Sequence, residues 1–155
     1  MQTWHLGIDP GKTGAACLIC YPEIEIFDWD GVINTSAKVR EWNSQYAIAG
    51  AFIENVHSFP HDGHVQAFRF GRNFGAWQGI LCALGIPIKL ISPNQWRKGL
   101  YLFGDKRPLK KRSMDAARGL FPDVADKYFT LAKDHDRAEA ALIAYQAERF
   151  FEIEK

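Results

Sequence analysis

Trp4-His5-Leu6-Gly7-Ile8-Asp9-Pro10-Gly11-Lys12-Thr13-Gly14 is a short apolar run that stops at a carboxylate and breaks into a turn. Trp4, Leu6 and Ile8 alternate with His5, Gly7 and Asp9, the two-residue period of a strand. Pro10-Gly11 ends it, because proline lacks the ladder donor and glycine tolerates turn dihedrals. The run from Ala15 to Tyr21 is again apolar and short. The unit therefore reads strand, turn, strand, with Asp9 at the exit of the first strand.

Gly11-Lys12-Thr13 imitates the end of a nucleotide-binding P-loop, but the spacing is wrong. That motif needs a glycine at the position held by Leu6, and Gly7 is one residue too close. It also needs a helix next, to aim backbone donors at phosphate, where this chain continues in a β-like run. Actin-like ATPases also begin with a strand ending in Asp and Gly, but they need two such halves and far more chain.

At 155 residues the chain is expected to form one domain, residues 1–155, burying roughly 70% of its unfolded surface. Its 47% hydrophobic and 14% aromatic content belongs to a globular protein rather than a disordered one. No stretch approaches the roughly 20 apolar residues of a membrane span, and the N-terminus lacks a basic segment followed by an apolar signal core. The expectation is an intracellular protein without membrane contact. Cys17 and Cys20, three apart on a predicted strand, point to opposite faces and read as thiols rather than a metal or redox pair. The net charge is only +1, so attraction to a polyanion has to be local.

Glu23 to Trp29 alternates as a third strand closed by Gly31, and three short strands with tight turns suggest an antiparallel meander. Thr35 or Ser36 is a candidate cap for a helix to about Tyr46. Ala47 to Val56 is a nearly continuous apolar strand carrying Glu54 near its end, and such a run implies cover on both faces, as in a central parallel strand. Glu54 thus repeats the arrangement of Asp9. If the two strands are parallel neighbours, both acids lie at one edge of the sheet, where α/β folds place their sites. A loop from Ser58 leads into a long helix, about Val65 to Leu84, with Val65, Phe68, Trp77, Leu81 and Leu84 on helical spacing. Gly71, Gly75 and Gly79 recur on it every fourth residue. Each costs a helix about 1 kcal/mol relative to alanine, so the stripe marks a close backbone approach, against this chain's own sheet in preference to a dimer contact. Ile88 to Ile91 is a fifth strand, and Ser92-Pro93 starts a short helix.

Lys106, Arg107, Lys110, Lys111 and Arg112 then place five cations in the eight residues from Asp105. Such a run is ordinarily a solvated face. A helix from Ser113 to Leu120 follows, then a long one from about Asp134 to Glu152. In the latter, Asp136 and Glu139 are about 60° apart around the axis and can point into one small volume. Alone they would do no more than complement the helix dipole, with Asp134 as N-cap. Joined to Asp9 and Glu54 they make a four-carboxylate cluster. Two carboxylates 4 Å apart repel by about 4 kcal/mol at an effective dielectric of 20, so divalent ions are the obvious remedy. Mg²⁺ prefers oxygen ligands and keeps waters and substrate phosphates in its shell. Two such ions about 4 Å apart suit phosphodiester hydrolysis, and the basic run would supply phosphate contacts.

Gly7-Ile8-Asp9-Pro10-Gly11, Ile53-Glu54, Lys110-Lys111-Arg112-Ser113 and Asp136-Arg137-Ala138-Glu139-Ala140-Ala141-Leu142-Ile143-Ala144 together resemble the RuvC family of Holliday junction resolvases, its phage and virus-type members most closely. The resemblance covers nearly the whole chain in order and spacing. It implies an α/β, ribonuclease H-like fold with a five-stranded mixed sheet, three antiparallel strands and then two parallel, flanked by helices. It also implies a homodimer with one site per subunit, and paired nicks in a four-way DNA junction with Mg²⁺ or Mn²⁺, two ions per site. By the same resemblance Asp9, Glu54, Asp136 and Glu139 are the catalytic metal ligands, and Lys110 or Lys111 contacts phosphate near the scissile bond.

The chain departs from the family in two places. Glu139 stands where bacterial members often carry aspartate, and the longer acid can still ligate. His57 stands where they tend to place an aromatic residue that stacks at the junction centre, a role Phe59 is placed to take. His57 and Phe59 join Lys106, Arg107, Lys110, Lys111 and Arg112 as candidate DNA contacts. His57, His61 and His64 share a loop with Pro60 and Gly63 and have no nearby cysteine, which fits surface or DNA-facing histidines better than a zinc site. His135 reads as exposed rather than as a modulator of a metal-bound water. The alternatives to a resolvase are a ribonuclease H-type nuclease of RNA–DNA hybrids and a non-catalytic binder of branched DNA on the same fold. Proofreading-type exonucleases are excluded by Gly11, where they carry glutamate.

Overall fold

The computed structural model describes residues 2–57, 61–100 and 104–153. Among them a five-stranded sheet runs in the order β3-β2-β1-β4-β5. The strands are β1 (Thr3–Asp9), β2 (Ala15–Cys20), β3 (Glu23–Asp28), β4 (Ala47–Glu54) and β5 (Ile88–Ile91). The first three form the expected antiparallel meander. β4 pairs in parallel with β1 and with β5. Because the central strand β1 and its parallel neighbour β4 point the same way, Asp9 and Glu54 come out at the same edge.

The helices are α1 (Gly31–Gln45), α2 (His64–Ala83), α3 (Pro93–Arg97), α4 (Leu109–Leu120), α5 (Ala125–Tyr128) and α6 (His135–Ile153). They divide between two sheet faces, each with its own core. Trp4, Leu6 and Ile8 of β1 pack with Val39 and Trp42 of α1 and Trp77 and Leu81 of α2. Cys17 and Ile19 of β2 and Phe52 of β4 face Ala138, Ala140, Ala141, Ala144 and Ala147 of α6 and Met114 and Ala117 of α4. Cys17 and Cys20 fall in opposite cores, as their separation predicts, and Cys17, Cys20 and Cys82 are thiols.

The alanine-rich face of α6 lies directly on β1 at Gly7. A side-chain carbon there would stand 2.0 Å from the backbone nitrogen of Ala144 and 2.4 Å from the carbonyl oxygen of Ala140. Helix and strand therefore meet backbone to backbone. Asp9 is two residues further along the same face of β1, under the first turns of α6.

Several local expectations are corrected. Thr35 and Ser36 do not begin α1. The helix starts earlier, at Gly31, whose φ of +74° makes the turn, with Asp30 as N-cap, while Thr35 is buried and its Oγ1 accepts from the Asp30 amide. Helix α4 begins at Leu109, not Ser113, because Pro108 fits a helix start; Lys110, Lys111 and Arg112 thus occupy its first turn. Val65 and Phe68 of α2 are 65% and 71% exposed, because at 3.6 residues per turn Phe68 lies half a turn round from the buried Trp77 and so on the opposite face of the helix. The stripe of Gly71, Gly75 and Gly79 does not pack on the sheet; all three are exposed, with nothing within 4 Å of where a Cβ would stand. No described helix is long and apolar enough to cross a membrane.

Two glycine substitutions separate rigid from yielding contacts. At Gly7 an added methyl meets backbone, whereas at Gly50 it meets the ring of Phe151, whose atoms lie 2.5–3.0 Å away but belong to a side chain near the end of α6. Gly7→Ala should lower stability by at least the roughly 1–3 kcal/mol of an overpacked core, and Gly50→Ala by clearly less. The urea midpoints of the two variants check the order.

Candidate metal centre

Asp9 ends β1 and is held by the turn that follows. Its Oδ1 accepts from the Gly11 amide at 3.0 Å, and the chain folds so tightly that a side-chain carbon at Gly14 would stand 2.0 Å from the Asp9 carbonyl oxygen. Glu54 ends β4 opposite Ile91. Glu139 comes down from the second turn of α6. One carboxylate oxygen from each of Asp9, Glu54 and Glu139 lies within 4.8 Å of the other two. Asp9 and Glu54 are buried and Glu139 is half-buried.

Their protonation reflects that crowding. Burial pushes the Asp9 carboxyl well above its usual range, reinforced by the charges of Glu139, Glu54 and Asp136 and opposed by the Gly11 amide. Glu54 is pushed up to about 7, first by burial and then by Glu139, against the pull of Arg97 and a hydrogen bond from Trp96. Glu139 is also raised, by burial and then Asp136, with Arg97, His135 and a hydrogen bond from Ser113 opposing. Three hard oxygen donors that resist ionising together form a donor set suited to a hard divalent cation such as Mg²⁺ or Mn²⁺ and unsuited to a soft metal.

Asp136 stands beside this trio without joining it. Its charge is felt by Asp9, Glu54 and Glu139, but its Oδ2 accepts from the Thr13 hydroxyl and its Oδ1 lies 2.9 Å from His135 Nε2. His135 is therefore not the exposed residue expected; its side chain is 19% exposed and packed against Asp136. Asp134, expected to cap the last helix, turns back on the segment before it. It is buried, and its Oδ2 accepts from the amides of Thr130 and Leu131. Arg137 turns outward to Asp28 at 2.6–2.8 Å.

Four partners escaped the sequence reading. Arg97 was hidden in a five-residue helix, although the Ser92 capping box, with Gln95 reciprocating, could have signalled that this segment is rigid. Trp96 anchors it, fully buried. Thr13 and Ser113 stand inside stretches the sequence reading quoted, but their roles went unread, because single hydroxyls are too common to stand out.

The basic run is split by the fold. Arg107 is engaged by Asp105, at 2.8 Å, and by Asp115, so its charge is already matched. Lys106, Lys110 and Lys111 are exposed. Lys110 and Lys111 border a groove with Met114, Arg118 and Ala132, one turn from Ser113, whose hydroxyl donates to Glu139 at 3.3 Å. Arg112 is half-buried, and His57, His61 and His64 are exposed. Phe59 lies outside the described residues. Among them, the acid trio is the grouping suited to a metal ion.

Carboxyls raised by folding bind protons more tightly in the native state than in the unfolded chain. Their contribution to stability is therefore present below the usual carboxylate range and is lost as pH rises through about 7. The melting temperature of the metal-free protein should fall between pH 5 and pH 8, and Mg²⁺ or Mn²⁺ at pH 8 should restore it by mass action. Thermal scans with and without EDTA check both; a flat profile or an indifferent protein would contradict the geometry. Glu54→Gln should remove the part of the pH dependence centred near 7 and leave the part due to Asp9 and Glu139.

No protein-family model and no curated protein matches the chain. Solved structures do. T. thermophilus RuvC in complex with a Holliday junction substrate aligns with a TM-score of 0.70 and 18% identity, covering 97% of this chain and 95% of that one. Thermus thermophilus RuvC aligns at 0.65 and 18%, covering 97% and 96%. The Fowlpox virus resolvase, in complex with its substrate Holliday junction DNA, aligns at 0.56 and 18%, covering 94% and 99%. Aligned over nearly its whole length with all three, the chain shares the fold of RuvC and of the Fowlpox virus resolvase.

Proposed function

We propose that this protein is a structure-selective endodeoxyribonuclease that cuts four-way and related branched DNA by metal-dependent phosphodiester hydrolysis. The observation that carries the reading is the meeting of Asp9, Glu54 and Glu139 at the edge of a sheet whose fold neighbours include two resolvases in complex with Holliday junctions. Asp9, Glu54 and Glu139 would hold the first cation, and Asp136 would complete a place for a second. When bound, such ions polarise the phosphodiester and lower the pKa of the attacking water.

The remaining work belongs to the chain's own side chains. Buried carboxyls pushed up by burial and mutual repulsion, Glu54 to about 7, favour loading with cation over standing as bare charges. The charge of Arg97 tempers the repulsion at Glu54 and Glu139. Lys110 and Lys111, exposed in the first turn of α4 and coupled to the site through Ser113, would grip the backbone phosphates flanking the cut. Lys106 would extend that contact. Opposed nicks require two sites, so the working form would be a homodimer of this nuclease domain, with the open glycine stripe of α2 as its candidate contact region.

The deciding experiment is one gel with a labelled four-way junction, linear duplex and RNA–DNA hybrid, with Mg²⁺, Mn²⁺ or EDTA. Paired nicks confined to the junction and dependent on metal support the proposal; cleavage of the hybrid alone would assign the site to a ribonuclease H, and binding without cleavage to a non-catalytic branched-DNA protein. Asp9→Asn should abolish cutting while junction binding is kept or tightened, since one repelling charge leaves a phosphate-facing site. Charge reversal at Lys110 and Lys111 should weaken binding and flatten its salt dependence by about 0.9 in log–log slope per lost phosphate contact. An unchanged slope would return these lysines to the solvated surface.

A further inference from the structure

Asp136 is the acid whose two oxygens are both already engaged. Oδ2 accepts from the Thr13 hydroxyl and Oδ1 lies 2.9 Å from His135 Nε2, while His135 Nδ1 lies 3.2 Å from the Ala132 carbonyl oxygen. The carboxylate is thus fixed by two chain segments from outside the acid trio. One is the turn after β1, the other the entry to α6. Each carboxylate oxygen has two lone pairs, so both contacts leave Asp136 able to accept a further partner, but only in the direction that Thr13 and His135 allow.

The four acids therefore form two unequal groups. Asp9, Glu54 and Glu139 converge within 4.8 Å, whereas Asp136 contributes charge to that trio from a position set by Thr13. We infer that Thr13 is a positioning residue for the second divalent cation: by holding Oδ2 of Asp136 it sets the affinity of an outer, weaker site, while the inner site depends on the trio. This rests on the metal-dependent reading above and deepens it. Hydrogen-bond partners behind a ligating carboxylate typically govern metal affinity by about 10–100-fold. The Thr13 hydroxyl is directed at Asp136 rather than at the trio, so its effect falls on one site and spares the other. Its β-branched side chain has few χ1 choices, which suits a residue that has to hold one oxygen in place from an exposed turn.

The test is titration of the metal-free protein with Mn²⁺, followed by calorimetry and by the loss of free Mn²⁺ signal in electron paramagnetic resonance. Wild-type protein should show two classes of site. Thr13→Val, which keeps shape and removes the donor, should weaken the looser class about 10-fold or more and leave the tighter class and the melting temperature of the metal-free protein unchanged. Thr13→Ser should behave as wild type. Equal affinities in Thr13→Val and wild type, equal weakening of both classes, a failure of Thr13→Ser to rescue, or a single class of site in wild-type protein each overturns the assignment while leaving a metal-dependent nuclease standing. Absence of Mn²⁺ binding altogether overturns the metal-dependent reading as well.

Discussion

The backbone contact between β1 and α6 at Gly7 is the constraint from which the rest of the molecule follows. With any side chain at that position the helix would have to ride higher over the sheet, because Ala140 and Ala144 offer only main-chain atoms there. Seated low, α6 brings the turn that precedes Ala140 over the end of β1, and Glu139 reaches the level of Asp9. The run of alanines at 138, 140, 141, 144 and 147 serves the same closeness from the helix side. Packing and chemistry are inseparable here: the small residues of the interface set the height at which the acids meet.

Bringing those acids together is electrostatically adverse. A pair of charged carboxylates at 4 Å costs about 4 kcal/mol at an effective dielectric of 20, and burial adds to it. The chain meets this partly with Arg97, the Trp96 indole, the Ser113 hydroxyl and the Gly11 amide. These supports leave Glu54 near neutrality and Asp9 still strongly raised. The remaining imbalance is what a hard divalent cation would relieve, which ties metal loading to the stability of the fold rather than to chemistry alone.

Charge elsewhere is arranged for local rather than global attraction. The net charge is +1, and several cations are already spent on partners, Arg107 on Asp105 and Asp115, Arg137 on Asp28 and Asp134. Lys110 and Lys111 stay open at the start of α4, one turn from the residue that touches Glu139. The opposite side of the molecule is different in kind: Val32, Ile33, Val65 and Phe68 are exposed there beside the glycine stripe of α2.

The five strands, their order in the chain and the acids at the ends of β1 and β4 were legible in the sequence, because strand alternation and fully apolar runs are local patterns that burial imposes residue by residue. The spacing of Asp136 and Glu139 was legible for the same reason, since helical geometry fixes their common face. What the sequence alone could not reveal was how low α6 sits, and with it that Glu139 joins the trio while Asp136 is drawn aside by Thr13 and His135. Nor could it separate Lys110 from Arg107 within one basic run, or place Gly71, Gly75 and Gly79 in the open. Those outcomes depend on which distant segments happen to be neighbours, 123 residues apart for Thr13 and Asp136, and only the assembled sheet and its helices bring such segments within hydrogen-bonding reach.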